Sequence, residues 1–327
     1  MVHQNRRNFL AQTLAASGVL LGASAWAQNY PNRVIKMVVP FPPGGGGDMV
    51  GRLFAKKLSE ALGVPVIVEN KPGASSVIGT DAVAKSAPDG YTILLNVSLI
   101  VQTASLFSKL PYDPLVDLTP VTDLSNSALW FAVSTARTEA RTLKDFVSQA
   151  RLKPLEYTYA SIGTGSSSHL LGYAFNEANG LNMMHVPYKG SSPATLALVA
   201  GEVSAIFMDY VTLQFQMGSG KVRLLAVTGN RRSTLTPDVP TLAELGYPGF
   251  EPSVWSALFV PSKTPRDIVA RLETEIRQIL AQPDMVAKWR ELGYESGGMP
   301  QAQFAAQVRS DHARWGELIR KTGVKLD

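Results

Sequence analysis

Short apolar runs alternate with helical patterns along most of the chain. The runs are VIKMVVPF, VPVIVEN, YTILLNV, LWFAVST, YTYASI, SAIFMDY and VRLLAVT. Several are apolar at every position rather than at every second one, as strands covered on both faces of a parallel sheet require. Between them, apolar residues at helical spacing predict helices over about 48–62, 76–86, 142–150, 168–179 and 192–200. Asp89-Gly90 marks a tight turn ahead of YTILL. This alternation predicts an α/β fold built on doubly wound sheets. After VPSKTP the pattern turns helical, over about 265–281 and 284–292, then breaks at Gly-Gly-Met-Pro and resumes from about 301. Phe304, Val308, Trp315 and Ile319 share one face of that last helix, which is expected to pack along a domain surface.

Length and composition narrow the picture. At 327 residues with 45% hydrophobic side chains, the chain can build two cores. Its net charge of +5 is mild, and no basic run is longer than a pair such as Arg231-Arg232, so nucleic acid is not an expected partner. The chain has no cysteine, which excludes disulfides, thiolate catalysis and a lipid anchor on a cysteine. Four histidines without paired spacing give no basis for a metal site, and no cofactor is expected. Residues 1–27 read as an export signal: Arg6-Arg7, an apolar core from Phe9 to Ala25, and Ala25-Trp26-Ala27 as a cleavage site. NRRNFL is similar to the twin-arginine signature but lacks the Ser or Thr ahead of the arginines, so Sec and twin-arginine export both stay open. The signal holds two arginines and no acid, so its removal takes the charge from +5 to +3. No later segment is apolar and long enough to span a bilayer, and a soluble periplasmic protein is expected.

The most informative stretch is VVPFPPGGGGDMVGRLF, an apolar run that enters four glycines and leaves as a helix. A helix start bears unpaired N–H groups and about half a positive charge, which suits an anion. A nucleotide phosphate is not that anion, because Asp48, Met49 and Val50 follow where a P-loop needs Gly-Lys-Ser/Thr, and the Rossmann spacing is absent. Asp48 reads as the helix N-cap. The bare backbone of Gly44, Gly45, Gly46 and Gly47 suits a small carboxylate held by several amides without an arginine. The pattern recurs in YASIGTGSSSHLLGYAF, and GRLF and GYAF put Gly51 and Phe54 in correspondence with Gly172 and Phe175. Two such units facing one cleft would hold an anion from both sides; chance likeness of two strand–loop–helix units is the alternative. Ser166, Ser167 and Ser168 lie beside His169, but Gly-x-Ser-x-Gly is absent, and catalysis is not expected.

With both loops in view, the chain resembles the periplasmic receptors of tripartite tricarboxylate transporters, the Bug family. The segments that carry the resemblance run from about Tyr30 to the C-terminus. They include YPNRVIKMVVPFPPGGGGD, VENKPGASSVIGTDAVAKSAPDGYT, LPYDPL, YASIGTGSSSHL, HVPYKGSSPA, LLAVT and TPDVPTLAELGYPGFE. The resemblance implies a type II periplasmic binding protein: two α/β domains around a ligand cleft, joined by two hinge crossings near Ser127–Leu129 and Phe250–Trp255. Domain 1 would comprise 30–128 plus 251–327, and domain 2 would comprise 129–250. It implies capture of a small organic carboxylate, with membrane permease subunits as partners, a sensor as the alternative role, and a monomer. Its ligand residues fall on Phe41 and Gly44 to Asp48 in domain 1, and on Ser161, Gly163, Thr164, Gly165 and Ser166 in domain 2. Asp209 falls near the distal end of the ligand, and Asn96, Val97 and Ser98 at the end of a first-domain strand. Two positions depart from the family: Gly47 stands where threonine is common, and Tyr210 where asparagine is. Both suit a larger or flatter acid, such as an aromatic one; alternatively Gly47 admits a water and Tyr210 enters the core.

Overall fold

The computed structural model describes residues 30–229, 231–248, 250 and 254–326. The expected export signal lies outside the described residues. Strand β1 (Ile35–Val39) leads into helix α1 (Gly46–Leu62), β2 (Val66–Asn70), α2 (Val77–Ala84), β3 (Thr92–Val97) and α3 (Leu99–Leu106). Then come β4 (Leu118–Ser127), β5 (Trp130–Ser134), α4 (Leu143–Leu152), β6 (Thr158–Ser161), α5 (Ser167–Ala178) and β7 (Met184–Pro187). Helix α6 (Ser191–Ala200), β8 (Ala205–Met208), α7 (Tyr210–Met217) and β9 (Val222–Val227) follow. The tail holds β10 (Val254–Pro261), α8 (Arg266–Leu280), α9 (Pro283–Glu291), β11 (Tyr294–Ser296) and α10 (Gln301–Thr322).

The strands form two sheets, ordered β11-β4-β10-β3-β1-β2 and β7-β6-β8-β5-β9. The structure bears out the expected α/β class, and each strand's alternation explains its apolar run. In β1, Ile35, Met37 and Val39 enter one core while Val38 enters the core on the opposite face. In β5, Phe131 and Val133 face one core, and Trp130 and Ala132 the other. The sheets are mixed rather than parallel throughout. Strand β10 runs antiparallel to β3 and β4, and β5 runs antiparallel to β8 and β9. Strand β4 ends at Ser127 in the first sheet and β5 begins at Trp130 in the second. The chain is back in the first sheet at Val254, after residues 251–253, which are not described.

Local signals set the helices. Val50, Phe54, Leu58 and Leu62 repeat every fourth residue on the buried side of α1, which ends at Gly63 in the left-handed region. Thr142 and Asp145 form a reciprocal capping box at the start of α4. Gly51 lets α1 settle on Val39, because a Cβ there would stand 2.8 Å from Val39 Cγ2; Gly172 does the same for α5 on Tyr159, at 2.4 Å. Phe54 and Phe175 are fully buried in the two cores. The sequence correspondence between the two glycine loops is therefore matched by two strand–loop–helix units packed alike.

Four strands and two helices were not anticipated from the sequence. Helix α3 is short and buried nearly all round, so it shows no amphipathic stripe. Strand β4 is rich in polar residues because the tail supplies their partners. Asp123, fully buried, accepts from the amides of Gly298 (3.0 Å) and Met299 (2.8 Å), and Thr122 donates to the Met299 carbonyl at 2.7 Å. Phe304, Val308, Trp315 and Ile319 of α10 are buried as expected, in the core that α3 and β10 share.

Candidate functional site

The two sheets face each other across a cavity of about 80 Å³ at the carboxyl ends of β1, β3, β6 and β8, where open α/β sheets bind ligands. By the space that one water needs, this is room for about five to eight water-sized atoms. The first turns of three helices reach it. Gly45, Gly46 and Gly47 come from α1, Ser166, Ser167 and Ser168 from α5, and Gly190, Ser191 and Ser192 from α6. No lysine, arginine or histidine lines the cavity among the described residues, and Asp209 is its one acid. The positive ends of helix dipoles and the amides of the helix starts would attract an anion placed here.

Of the fifteen residues expected at the site, the cavity wall contains Phe41, Gly45, Gly46, Gly47, Val97, Ser166 and Asp209. The others stand behind the wall. Asp48 is buried at the third position of α1, and the N-cap is Gly45, which corrects the capping expectation. Asp48 cannot cap because it braces the loop from behind. It accepts from the Gly44 amide (2.9 Å), from Arg52 Nε (2.9 Å) and from Asn70 Nδ2 (2.9 Å). Burial opposes its charge, but Arg52, Gly44 and Asn70 together hold its carboxyl below the ordinary range. Gly44, at φ +84°, turns its amide toward Asp48. The buried Asn96 donates to Thr80 Oγ1 at 2.9 Å. Ser98 begins α3, and its hydroxyl lies 3.4 Å from Ser167 Oγ.

The second loop is braced in the same way. Ser166 caps α5 and donates to the Gly163 carbonyl at 2.6 Å, while Ser161 donates to that carbonyl at 3.0 Å. The Gly165 amide donates to His169 Nδ1 at 2.9 Å, so this nitrogen is an acceptor and His169 is neutral. The rings of His169 and His185 stack with centroids 3.7 Å apart, and His185 Nε2 lies 2.7 Å from Ser161 Oγ. Among the described residues, no serine, histidine and acid come together as a triad.

Contacts across the cleft are direct. Gly46 N–H donates to Ser191 Oγ at 3.3 Å, Gln102 Nε2 to Ser167 Oγ at 2.7 Å, and Ser75 Oγ to the Thr164 carbonyl at 3.3 Å. Leu106 packs onto Gly165, where a Cβ would overlap it. The cleft is closed in this structure.

Both departures from the family pattern prove to be packing features. The Phe41 ring covers Gly47, where a Cβ would stand 2.9 Å from Phe41 Cδ2. Tyr210 packs on Trp130, with centroids 5.3 Å apart, and on Gly293, away from the cavity wall. The Phe41 ring therefore occupies the space beside Gly47, and Tyr210 packs against the core, as the alternative reading had it. Asp209 lies beside Gly46: a Cβ at Gly46 would be 3.2 Å from its Oδ2.

Sequence reasoning missed the α6 turn and Tyr294. The α6 turn was visible as YKGSSPA, a third Gly/Ser loop ahead of a helix. Tyr294 had no local signal, because β11 brings it to the cleft through its pairing with β4.

The sequence profile described as "Tripartite tricarboxylate transporter family receptor" matches residues 50–324. The chain is 37% identical over 315 residues to Protein BugT of Bordetella pertussis, covering 96% of each. Among solved structures it is similar to R. palustris Rpa4515 with adipate (TM-score 0.87, 33% identity, 90% of this chain and 99% of that one). It is also similar to MatC from Rhodopseudomonas palustris with bound malate (TM-score 0.83, 31% identity, 89% and 100%).

Two outcomes follow from this geometry. Gly45 has φ −89° and ψ 171°, which valine adopts without strain, but a Cβ there would stand 2.6 Å from Ser191 Oγ. Gly45→Val should keep the far-ultraviolet circular dichroism and lose binding by titration calorimetry; undiminished affinity would remove α1 from the site. The second outcome concerns pH. Burial lowers His169 from 6.5 to about 4; burial and then the neighbouring His169 lower His185 to about 3. Between those values and 6.5 the unfolded chain binds more protons, so this stability is complete above 6.5 and is lost as pH falls. Tm should drop between pH 6.5 and about 4, and drop less in His185→Asn. Equal pH profiles for the two proteins would contradict the assignment.

Proposed function

The chain belongs to the tripartite tricarboxylate transporter receptor family of periplasmic solute-binding proteins, and from that premise we propose that it captures a small organic carboxylate in its cleft and delivers it to the permease subunits of such a transporter. The observation that carries this reading is the convergence of three helix N-termini on a cavity that no cationic side chain lines among the described residues. The carboxylates bound in two of its structural relatives, adipate and malate, agree with it.

The proposed ligand contacts are Gly45 to Gly47 on the first sheet's side and the α5 and α6 turns on the second's. The proposed domains divide at 128/129 and at 250/251, so the cleft lies between domain 1 and domain 2. The family and the N-terminal sequence support a periplasmic location. The protein acts as a receptor and not an enzyme, and as a monomer.

The magnitudes are sufficient. A micromolar dissociation constant needs about 8 kcal/mol. Hydrogen bonds to a charged group contribute roughly 1.5–3 kcal/mol each, so four or five amide and hydroxyl donors exceed that figure before association entropy is deducted. Neither face supplies all of these donors alone, so ligand should favour the closed state through hinge motion.

A thermal-shift screen of mono-, di- and aromatic carboxylates on the mature protein tests this reading. Small aliphatic acids should raise Tm, benzoate-like acids should not, and mass spectrometry should recover the ligand unchanged. A screen in which no carboxylate shifts Tm would refute capture, and a chemically altered ligand would refute the receptor role.

A further inference from the structure

Two serine hydroxyls on the second sheet's side of the cavity are engaged from across the cleft. Ser191, in the first turn of α6, accepts from the Gly46 amide at 3.3 Å. Ser167, the first residue of α5, accepts from Gln102 Nε2 at 2.7 Å. Gln102 belongs to α3, which follows β3 of the first sheet. It is completely buried and does not line the cavity, whereas Ser167 does.

These partners fix where the Ser167 proton can go. A hydroxyl has two lone pairs and one proton, and Gln102 occupies one lone pair. Ser98 Oγ, fully buried one helical turn before Gln102, lies 3.4 Å from Ser167 Oγ and has no other partner among the described residues. The Ser98 proton therefore goes to the second lone pair, and the Ser167 proton is left for the cavity. At the far end of the amide, Gln102 Oε1 is buried with no partner. The bond to Ser167 and the cost of that unpaired oxygen have opposite signs, so the amide alone does little to close the cleft. A carboxylate accepting from Ser167 changes the balance, because a hydroxyl that donates to a charge becomes a better acceptor for the amide behind it.

We infer that Gln102 is a positioning residue: reaching from α3 to α5 across the closed cleft, it turns the Ser167 hydroxyl so that its proton points at the carboxylate of the ligand. Gln102 acts only through Ser167. Its bond joins the two faces and exists only while they meet, so it governs how long a ligand stays rather than how fast it enters. The Gly46 amide does the same for Ser191, with main chain in place of a side chain. Closure thus completes the anion site as well as covering it.

This inference rests on the carboxylate reading, and the experiment separates the two. Calorimetry and stopped-flow kinetics on the mature protein use acetate, succinate, malate and adipate as probes. Gln102→Met keeps the length of the side chain and removes its amide. For the acid that binds the unaltered protein most tightly, it should weaken affinity about two- to tenfold, through faster dissociation, with the ligand-free Tm little changed. Ser167→Ala, which leaves the Ser166 cap in place, should weaken affinity about tenfold or more. In the Ser167→Ala background Gln102→Met should have no further effect, whereas a residue that merely supports the fold would act additively. Additive losses, unchanged affinity, or tighter binding (the amide then taking the serine proton) would overturn the role of Gln102 and leave carboxylate capture standing. If Gln102→Met fails to fold, Gln102→Asn, too short to reach Ser167, takes its place. A crystal structure of the unaltered protein with the same acid decides independently of any variant. A carboxylate oxygen should lie within about 3.2 Å of Ser167 Oγ, and an acid bound out of reach of that hydroxyl would overturn the inference. Binding of none of the four acids would overturn both readings.

Discussion

Unpaired main-chain N–H groups at helix starts are the constraint on which the rest of this molecule depends. An anion can use them only if it approaches the backbone closely, which requires residues with little or no side chain at the turn. It can be held from several directions only if separate helices are aimed at one point. Both requirements are visible here: glycines and serines at the starts of α1, α5 and α6, and two sheets that bring those starts together. Charge then comes from peptide dipoles, which cannot swing away or shed a proton as a lysine or histidine can.

Such a site places its demands on the scaffold behind it. The first loop is tied back through Asp48 to Gly44, Arg52 and Asn70. The second is tied back through His169 to Gly165, and through Ser161 and Ser166 to Gly163. These ties fix which way the loop amides point, so the amides facing the cavity are oriented before any ligand arrives. Beneath them, Gly51 and Gly172 let each helix settle onto its strand, and Phe54 and Phe175 anchor the helices in separate cores. The same solution is built twice, once on each side of the cleft.

Much of this was legible in the sequence. The apolar runs named the strands covered on both faces, and the two glycine loops named the first two helix starts at the cavity. What stayed hidden depended on distant partners. Strand β4 reads as polar because Met299 and Gly298 satisfy Thr122 and Asp123 from the tail of the chain. Tyr294 reaches the cleft only through the pairing of β11 with β4. Asp48 looked like a cap and a ligand contact because spacing cannot show which way a carboxylate turns; in the structure Arg52 draws it to the rear. Gly47 and Tyr210 left two readings open for the same reason, since the Phe41 ring and the Trp130 stack were invisible one residue at a time.

The most direct measurement is a crystal structure of the mature protein with the acid that raises its melting temperature most. The account predicts carboxylate oxygens within about 3.2 Å of amide nitrogens in the first turns of α1 and of α5 or α6, with no lysine or arginine in contact. A carboxylate clamped by a cationic side chain, or bound away from these helix starts, would contradict it.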